Sequence, residues 1–249
     1  MENTAVEKQY LDSLFRGVSV DSAPIKDTFG KNFVAKTLKT PLEFSNEQLK
    51  QVCSKLDCSA ENFFMGAYSL VLARFAGADE VFFTATGAKK IPVYLNLSPE
   101  QSVADYLKIL REQVDRSREI INTPYEEIAA TYNFPNAPEF ISTAEEISDK
   151  TFALTVDENS CTVSISFDGG KYSDTLIKSF ADTYKHVVTK FFDAEKIGDI
   201  DWLSADELAK LKNFHDTDWE VLERPAIVYF KTARKNIRNA LPPLLTENL

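Results

Sequence analysis

Histidine is nearly absent from this chain. There are two in 249 residues, His186 and His215, far apart and in no common motif. A general base must titrate near the working pH and lie within hydrogen-bond reach of the proton it removes, so little is present from which to build one. Cysteine is almost as scarce. Cys53, Cys58 and Cys161 are an odd count without metal-ligand spacing, which argues against a disulfide framework and reads as reduced core or boundary thiols. The eight glycines form no Gly-rich fingerprint ahead of a helix with a basic partner, so no phosphate loop is expected. No membrane span is expected either: the longest near-apolar run, residues 63–78, is interrupted by Arg74 and falls short of the about 20 residues a span requires. The opening MENTAVEKQY has no basic region followed by an apolar one, so no secretory signal is expected. Basic residues number 28 against 38 acidic, and the resulting charge of −10 disfavours nucleic acid and anionic membrane as partners. Together these point to the cytoplasm.

What the chain does have is apolar mass, 44% of residues, enough for a well-supplied core. Val6, Tyr10, Leu11, Leu14 and Phe15 form a helical stripe over residues 4–16, stopped by Gly17. Residues 33–44 read as a strand, with Pro41 suggesting an edge or an end. Ser45 and Gln48 stand in capping-box spacing ahead of a helix whose apolar face is Leu49, Val52, Cys53 and Leu56. A second helix runs from near Ser59 to Phe75, with Gly77 as its stop. It is apolar nearly all round, so it is expected between layers.

Glu80 to Thr86 reads as a strand buried on both faces, and Ile91 to Leu97 as a second strand. Ser98 is the expected cap of the next helix, whose face is Val103, Tyr106, Leu107, Leu110, Val114 and Ile121. Thr123, Pro124 and Glu126 give a cap, a first-turn proline and a capping-box acid for a further short helix. Residues 133–150 read as irregular. Phe152 to Val156 and Cys161 to Phe167 alternate and are joined by four residues, a β-hairpin. Gly169-Gly170 ends it, and Ser173 caps a long helix carrying Ile177, Phe180, Tyr184 and Val188. Ser204 opens another short helix. The fold expected is α/β, a mixed sheet of five or six strands covered by helices.

The residues that tempt a catalytic assignment each have a plainer reading. His186, four positions from both Asp182 and Lys190, reads as a surface or half-buried helix residue. His215, beside Asp216 and Asp218, reads as a favourable charge at a helix C-terminus, and HDTD lacks zinc spacing. Asp168, Gly169 and Gly170 read as a hairpin-to-helix turn. Ser69, Ser164 and Ser166 have no GxSxG elbow. Glu126 and Glu127 complement a helix dipole. No residue is assigned as catalytic, cofactor-binding or metal-ligating.

Five segments carry a family resemblance. SAENFFMGAYSLVLARFAGADEVFFTATG (residues 59–87) resembles the helix-then-strand segment of the condensation domain of nonribosomal peptide synthetases. IPVYLNLSPEQSVADYLKILREQV (91–114) is similar to the strand and long helix that follow it there. NTPYEEIA (122–129) resembles a weakened QDxPFE motif, with Thr123, Pro124, Tyr125 and Glu126 on the matching positions. TFALTVDENSCTVSISFDGGKYSDTLIKSFADTYKHVV (151–188) resembles the final hairpin and helix. DIDWLSADELAKLKNFHDTDWEV (199–221) looks like the exit towards an adenylation domain.

The resemblance covers about residues 5–220. It implies the C-terminal lobe of a two-lobed, chloramphenicol acetyltransferase-like fold over residues 1–220, with residues 221–249 a tail or linker. The basic patch at residues 232–238 reads as a solvated helix face or a partner-docking segment. The family's HHxxxDG motif, whose second histidine is taken to position or deprotonate the attacking amine, is absent here. The stretch between Thr86 and Ile91 is shorter than the family's, and FPNAPEF replaces its arginine-containing motif. The resemblance therefore implies a lobe that does not catalyse alone, with no cofactor. Carrier-protein or adenylation domains are its possible partners, or a complementary N-terminal lobe bearing the histidines, or a second copy in a homodimer.

Overall fold

A computed structural model describes residues 2–18, 21–134, 137–142 and 151–200, with side chains from residue 5 onward. All but two of the sequence-based elements fall inside these bounds. The helix opened by Ser204 and the tail at 221–249 lie outside the described residues. Among the described residues, six α-helices and six strands follow in the order α1 (Glu2–Phe15), β1 (Ala35–Pro41), α2 (Asn46–Leu56), α3 (Ala60–Ala76), β2 (Glu80–Thr86), β3 (Lys90–Asn96), α4 (Val103–Ile120), α5 (Tyr125–Tyr132), β4 (Glu139–Ile141), β5 (Phe152–Asp157), β6 (Thr162–Asp168) and α6 (Asp174–Lys190), with a 3-10 turn at Ile197–Asp199. The strands form one mixed sheet in the order β1-β6-β5-β4-β2-β3.

Local chemistry explains the boundaries. Ser45 accepts the Gln48 amide while the Gln48 side chain accepts the Ser45 amide, a complete capping box. The Ser59 and Ser173 hydroxyls cap α3 and α6 by accepting the Asn62 and Leu176 amides, and Gly77 closes α3 in left-handed backbone geometry. The face of α2 is as the spacing predicts: Leu49, Val52, Cys53 and Leu56 are buried. β1 is an edge strand, and Pro41 ends it opposite Thr162.

Two caps differ from expectation. α4 is capped by Ser102, whose hydroxyl accepts the Asp105 amide at 3.0 Å, and not by Ser98. Ser98 instead starts a tight turn through Pro99, closed by the Gln101 amide on the Ser98 carbonyl at 3.0 Å. Thr123 does not cap α5. Its amide and hydroxyl both go to the Glu7 carboxylate of α1, and Pro124 holds the cap position without a side-chain bond.

One strand lies in the stretch that reads as irregular. β4 is three residues long, too short for any periodicity to show. It lies parallel to both β2 and β5, joining the β2–β3 hairpin to the β1–β6–β5 meander. Helices cover both faces of the sheet at β2, which is why its inner positions Val81, Phe82, Phe83 and Ala85 are apolar, while the buried Thr84 bonds its hydroxyl to the Pro138 carbonyl. Phe83 meets Tyr68 of α3 edge-on, while its neighbour Phe82 meets Phe15 of α1 and Phe134. α3 lies between the sheet, α4 and α6, with residues 62 to 73 all buried. Gly66 permits the close approach of α3 and α4, since a Cβ there would collide with Leu107 Cδ2.

Candidate functional site

His186, Asp168, Ser69 and the Glu126–Glu127 pair lie on four different elements. His186 sits half-buried on α6, and its Nε2 is enclosed without a hydrogen-bond partner among the described residues. A base with no acceptor or donor around it has nothing to orient it. His215 lies outside the described residues.

Asp168 is the buried centre of the turn predicted for it. Its Oδ1 accepts the amides of Val34 and Gly170, each at 2.9 Å, and Lys171 Nζ lies 3.5 Å from Oδ2. Burial pushes this carboxyl up, but the two amides and the Lys171 charge outweigh it and hold the group below the usual carboxylate range. Its oxygens are engaged in tying the segment before β1 to the end of β6. Ser69 is buried inside α3, its hydroxyl bonded to the Gly66 carbonyl at 2.8 Å and to the Tyr106 hydroxyl. Neither of these partners is a histidine or an acid. Glu126 and Glu127 occupy the first turn of α5, where negative charge complements the helix dipole.

The structure also brings together a charged group that the sequence does not announce. Glu139, the first residue of β4, is buried, with its side chain 4% exposed. Its Oε1 accepts from Thr86 Oγ1 at 2.5 Å, and its Oε2 pairs with Lys90 Nζ at 3.1 Å. Lys90 also stands 4.6 Å above the Tyr125 ring. Burial, together with the Glu139 and Glu126 charges, pushes the Tyr125 hydroxyl up to about 12. This group joins β4, the β2–β3 hairpin and α5. A carboxylate already engaged by a lysine and a hydroxyl is a poor proton acceptor, so the arrangement suits fastening better than general-base work. Glu139 lies in the segment read as irregular, and only the pairing of β4 with β2 brings it to Thr86 and Lys90.

Two surface clefts flank α1. One, of about 730 Å³, is lined by Val6, Glu112, Asp115, Arg116, Glu119 and Asn122. The other, of about 510 Å³, is lined by Glu7, Leu11, Asp12, Phe15, Thr131 and Tyr132 among others. Neither holds a histidine or a cysteine. Among the described residues no group of three or more His, Cys, Asp or Glu side chains could hold a metal ion, and no helix is long and apolar enough to cross a membrane.

No protein-family model matches the sequence, and no curated protein matches it. Solved structures do match. A four-domain nonribosomal peptide synthetase bound to AMP and glycine superimposes with a TM-score of 0.70 at 9% identity, over 80% of this chain and 20% of that one. The condensation domain of the monacolin K polyketide synthase MokA gives 0.63 at 13% identity, over 77% of this chain and 58% of that one. The X-domain from teicoplanin biosynthesis gives 0.63 at 12% identity, over 80% and 57%. The chain thus spans little more than half the length of the single domains it matches. Over about four fifths of its own length, it has the fold of the condensation domains of nonribosomal peptide synthetases.

Proposed function

We propose that this chain is a condensation-domain-like lobe, equivalent to the C-terminal one, that serves a peptide synthetase as a scaffold or docking element and does not form amide bonds by itself. The observation that carries this reading is the missing base: a condensation-type fold in a sequence with two histidines and no HHxxxDG. What the fold retains is packing. Its buried carboxylates, Glu7, Glu139 and Asp168, are all engaged in fastening one element to another. A docking role has a parallel among the structures it resembles, since the X-domain of teicoplanin biosynthesis is solved in complex with OxyB. The partners of this chain would be carrier-protein or adenylation domains of a synthetase. Three free thiols fit a cytoplasmic location.

The purified chain, given a carrier-bound acyl donor and a carrier-bound aminoacyl acceptor, is expected to form no amide above the background of the carriers alone. Clear turnover would reject the reading.

A second reading is favoured by a cluster of exposed apolar side chains. Ile25, Phe29, Phe33 and Val34 project from the segment leading into β1, with Phe29 91% exposed. The edge strand β1 itself shows Lys36, Thr37 and Lys39 to solvent. On this reading the segment meets a separate chain carrying HHxxxDG, and the two form a split acyl-transferring enzyme. A stable junction would bury roughly 1,200–2,000 Å². Mixing this chain with such a partner would then restore turnover, and Phe29→Ser would abolish the restoration.

A further inference from the structure

The C-terminus of α2 carries two thiols in a geometry that the backbone imposes. Asp57 adopts left-handed angles (φ 51°, ψ 47°), and the Cys58 amide donates to the Cys53 carbonyl at 3.0 Å. This is a Schellman turn, in which the side chains of the two tied residues come together and an apolar contact commonly fills the space. The same closure ends α3, through Ala78 and Ala73, and α5, through Phe134 and Ala129, each at 3.0 Å. At α2 the paired positions hold Cys53 and Cys58, so the turn sets their side chains against each other. Cys53 is buried, and Cys58 is half-buried and packs against the same core.

The surroundings add to this. Arg111 of α4 donates to the Asp57 carbonyl at 2.5 Å and lies 3.5 Å from its carboxylate, fixing the turn. The contact with Cys53 and burial push the Cys58 thiol up, more than the Arg111 charge offsets, while the Cys58 thiol, by donating to Cys53, holds the Cys53 thiol below its ordinary range. The first proton lost thus leaves a negative charge shared across the sulfur contact. The third cysteine is engaged elsewhere: Cys161 Sγ donates to Asn46 Oδ1 at 3.2 Å, at the opposite end of α2.

We propose that Cys53 and Cys58 form a reversible dithiol site that exchanges with a low-molecular-weight disulfide, closing an intramolecular disulfide across the end of α2. The thiolate shared by the pair attacks one sulfur of the small disulfide. That S–S bond breaks, and the departing thiolate takes up the proton the pair has shed. The second cysteine, as its thiolate, then attacks the sulfur of the first, the second small thiolate leaves, and it takes that last proton. The two cysteines lose two electrons together, and the small disulfide is reduced to two thiols. The new bond would lock the joint between α2 and the Ser59 cap of α3. Because this chemistry uses neither acyl donor nor carrier, it stands or falls apart from the proposed function.

The test equilibrates the full chain in glutathione buffers of graded oxidised-to-reduced ratio, followed by acid quench, alkylation and peptide mapping. The expected product is a monomer lighter by two hydrogens, with Cys53 linked to Cys58 and Cys161 alkylated. Folded geometry should make the bond form at a glutathione ratio about tenfold less oxidising than the same chain requires in urea. Cys53→Ser should leave Cys58 as a lasting mixed disulfide. The proposal is overturned by no oxidation at any ratio, by a mixed disulfide that persists on the unaltered chain, by a bond to Cys161, or by an unchanged midpoint in urea.

Discussion

Gln113 of α4 completes the hydrogen bonding of Tyr94 in the edge strand β3. Its Oε1 accepts the Tyr94 amide at 3.2 Å, and its Nε2 donates to the Tyr94 carbonyl at 3.0 Å. One side chain thereby does what a neighbouring strand would do, and this part of the sheet margin is closed to pairing with another chain. Gln113→Leu should cost about 1–3 kcal/mol, because two backbone groups lose their partners. It should also raise self-association. Urea denaturation and light scattering check the two effects, and a variant as stable as the parent would contradict the assignment.

The contact of α3 with α4 turns on Gly66. Gly66→Ala forces a methyl group into Leu107 and displaces one helix from the other. The expected loss is about 1–3 kcal/mol, seen as a lower urea midpoint. Adding Leu107→Ala should recover part of it, since the collision is with that side chain.

The buried tyrosines of the core are not equivalent. The Tyr68 hydroxyl has no partner among the described residues, while the Tyr184 hydroxyl donates to the Phe64 carbonyl at 3.2 Å. Tyr68→Phe is expected to leave stability unchanged or raise it by up to about 1 kcal/mol. Tyr184→Phe should lower it by about 0.5–1.5 kcal/mol. Thermal melts of the two variants side by side give the comparison, and equal losses would show that Tyr68 has a partner after all.

Acid should loosen α1. Burial pushes the Glu7 carboxyl up, but the bonds from Thr123 and Asn122 and the Lys89 charge outweigh it, so the folded-state value is lowered. A lowered carboxyl contributes stability above its unfolded value, about 4.3 for Glu, and that contribution is lost as pH falls through the lower folded value. Asp168 behaves in the same direction. Stability followed from neutral pH downward should therefore fall steeply below about pH 4. Glu7→Gln should flatten part of that fall, and an identical profile in the variant would refute the role given to Glu7.

Most of the framework can be read in sequence where one local signal decides the outcome. The run Glu80 to Thr86 is a strand from end to end, and Ser45 with Gln48 makes the expected box. Ser98 misleads because a serine before a proline caps a turn as readily as a helix, and only the Asp105 amide distinguishes Ser102. β4 leaves no trace because three residues show no period, and one of its two partners, β2, lies far back in the chain. The Glu139–Lys90–Thr86 group is hidden for the same reason. The fastening of Thr123 by Glu7 is also invisible, since it joins residues 116 positions apart. The shortage of histidine, by contrast, needs no fold to be seen.

The shortness of β4 also bears on how the molecule assembles. The β2–β3 hairpin and the β5–β6 hairpin each close over a few residues, so both can form early from neighbouring chain. Linking them requires Glu139 to find Thr84 and then Ala153 to find Glu139, with only three residues in register on either side. That keystone gives the least pairing in the sheet in return for the loops it closes. The two halves of the sheet therefore meet late in folding, and hydrogen exchange at β4 should mark where they first come apart.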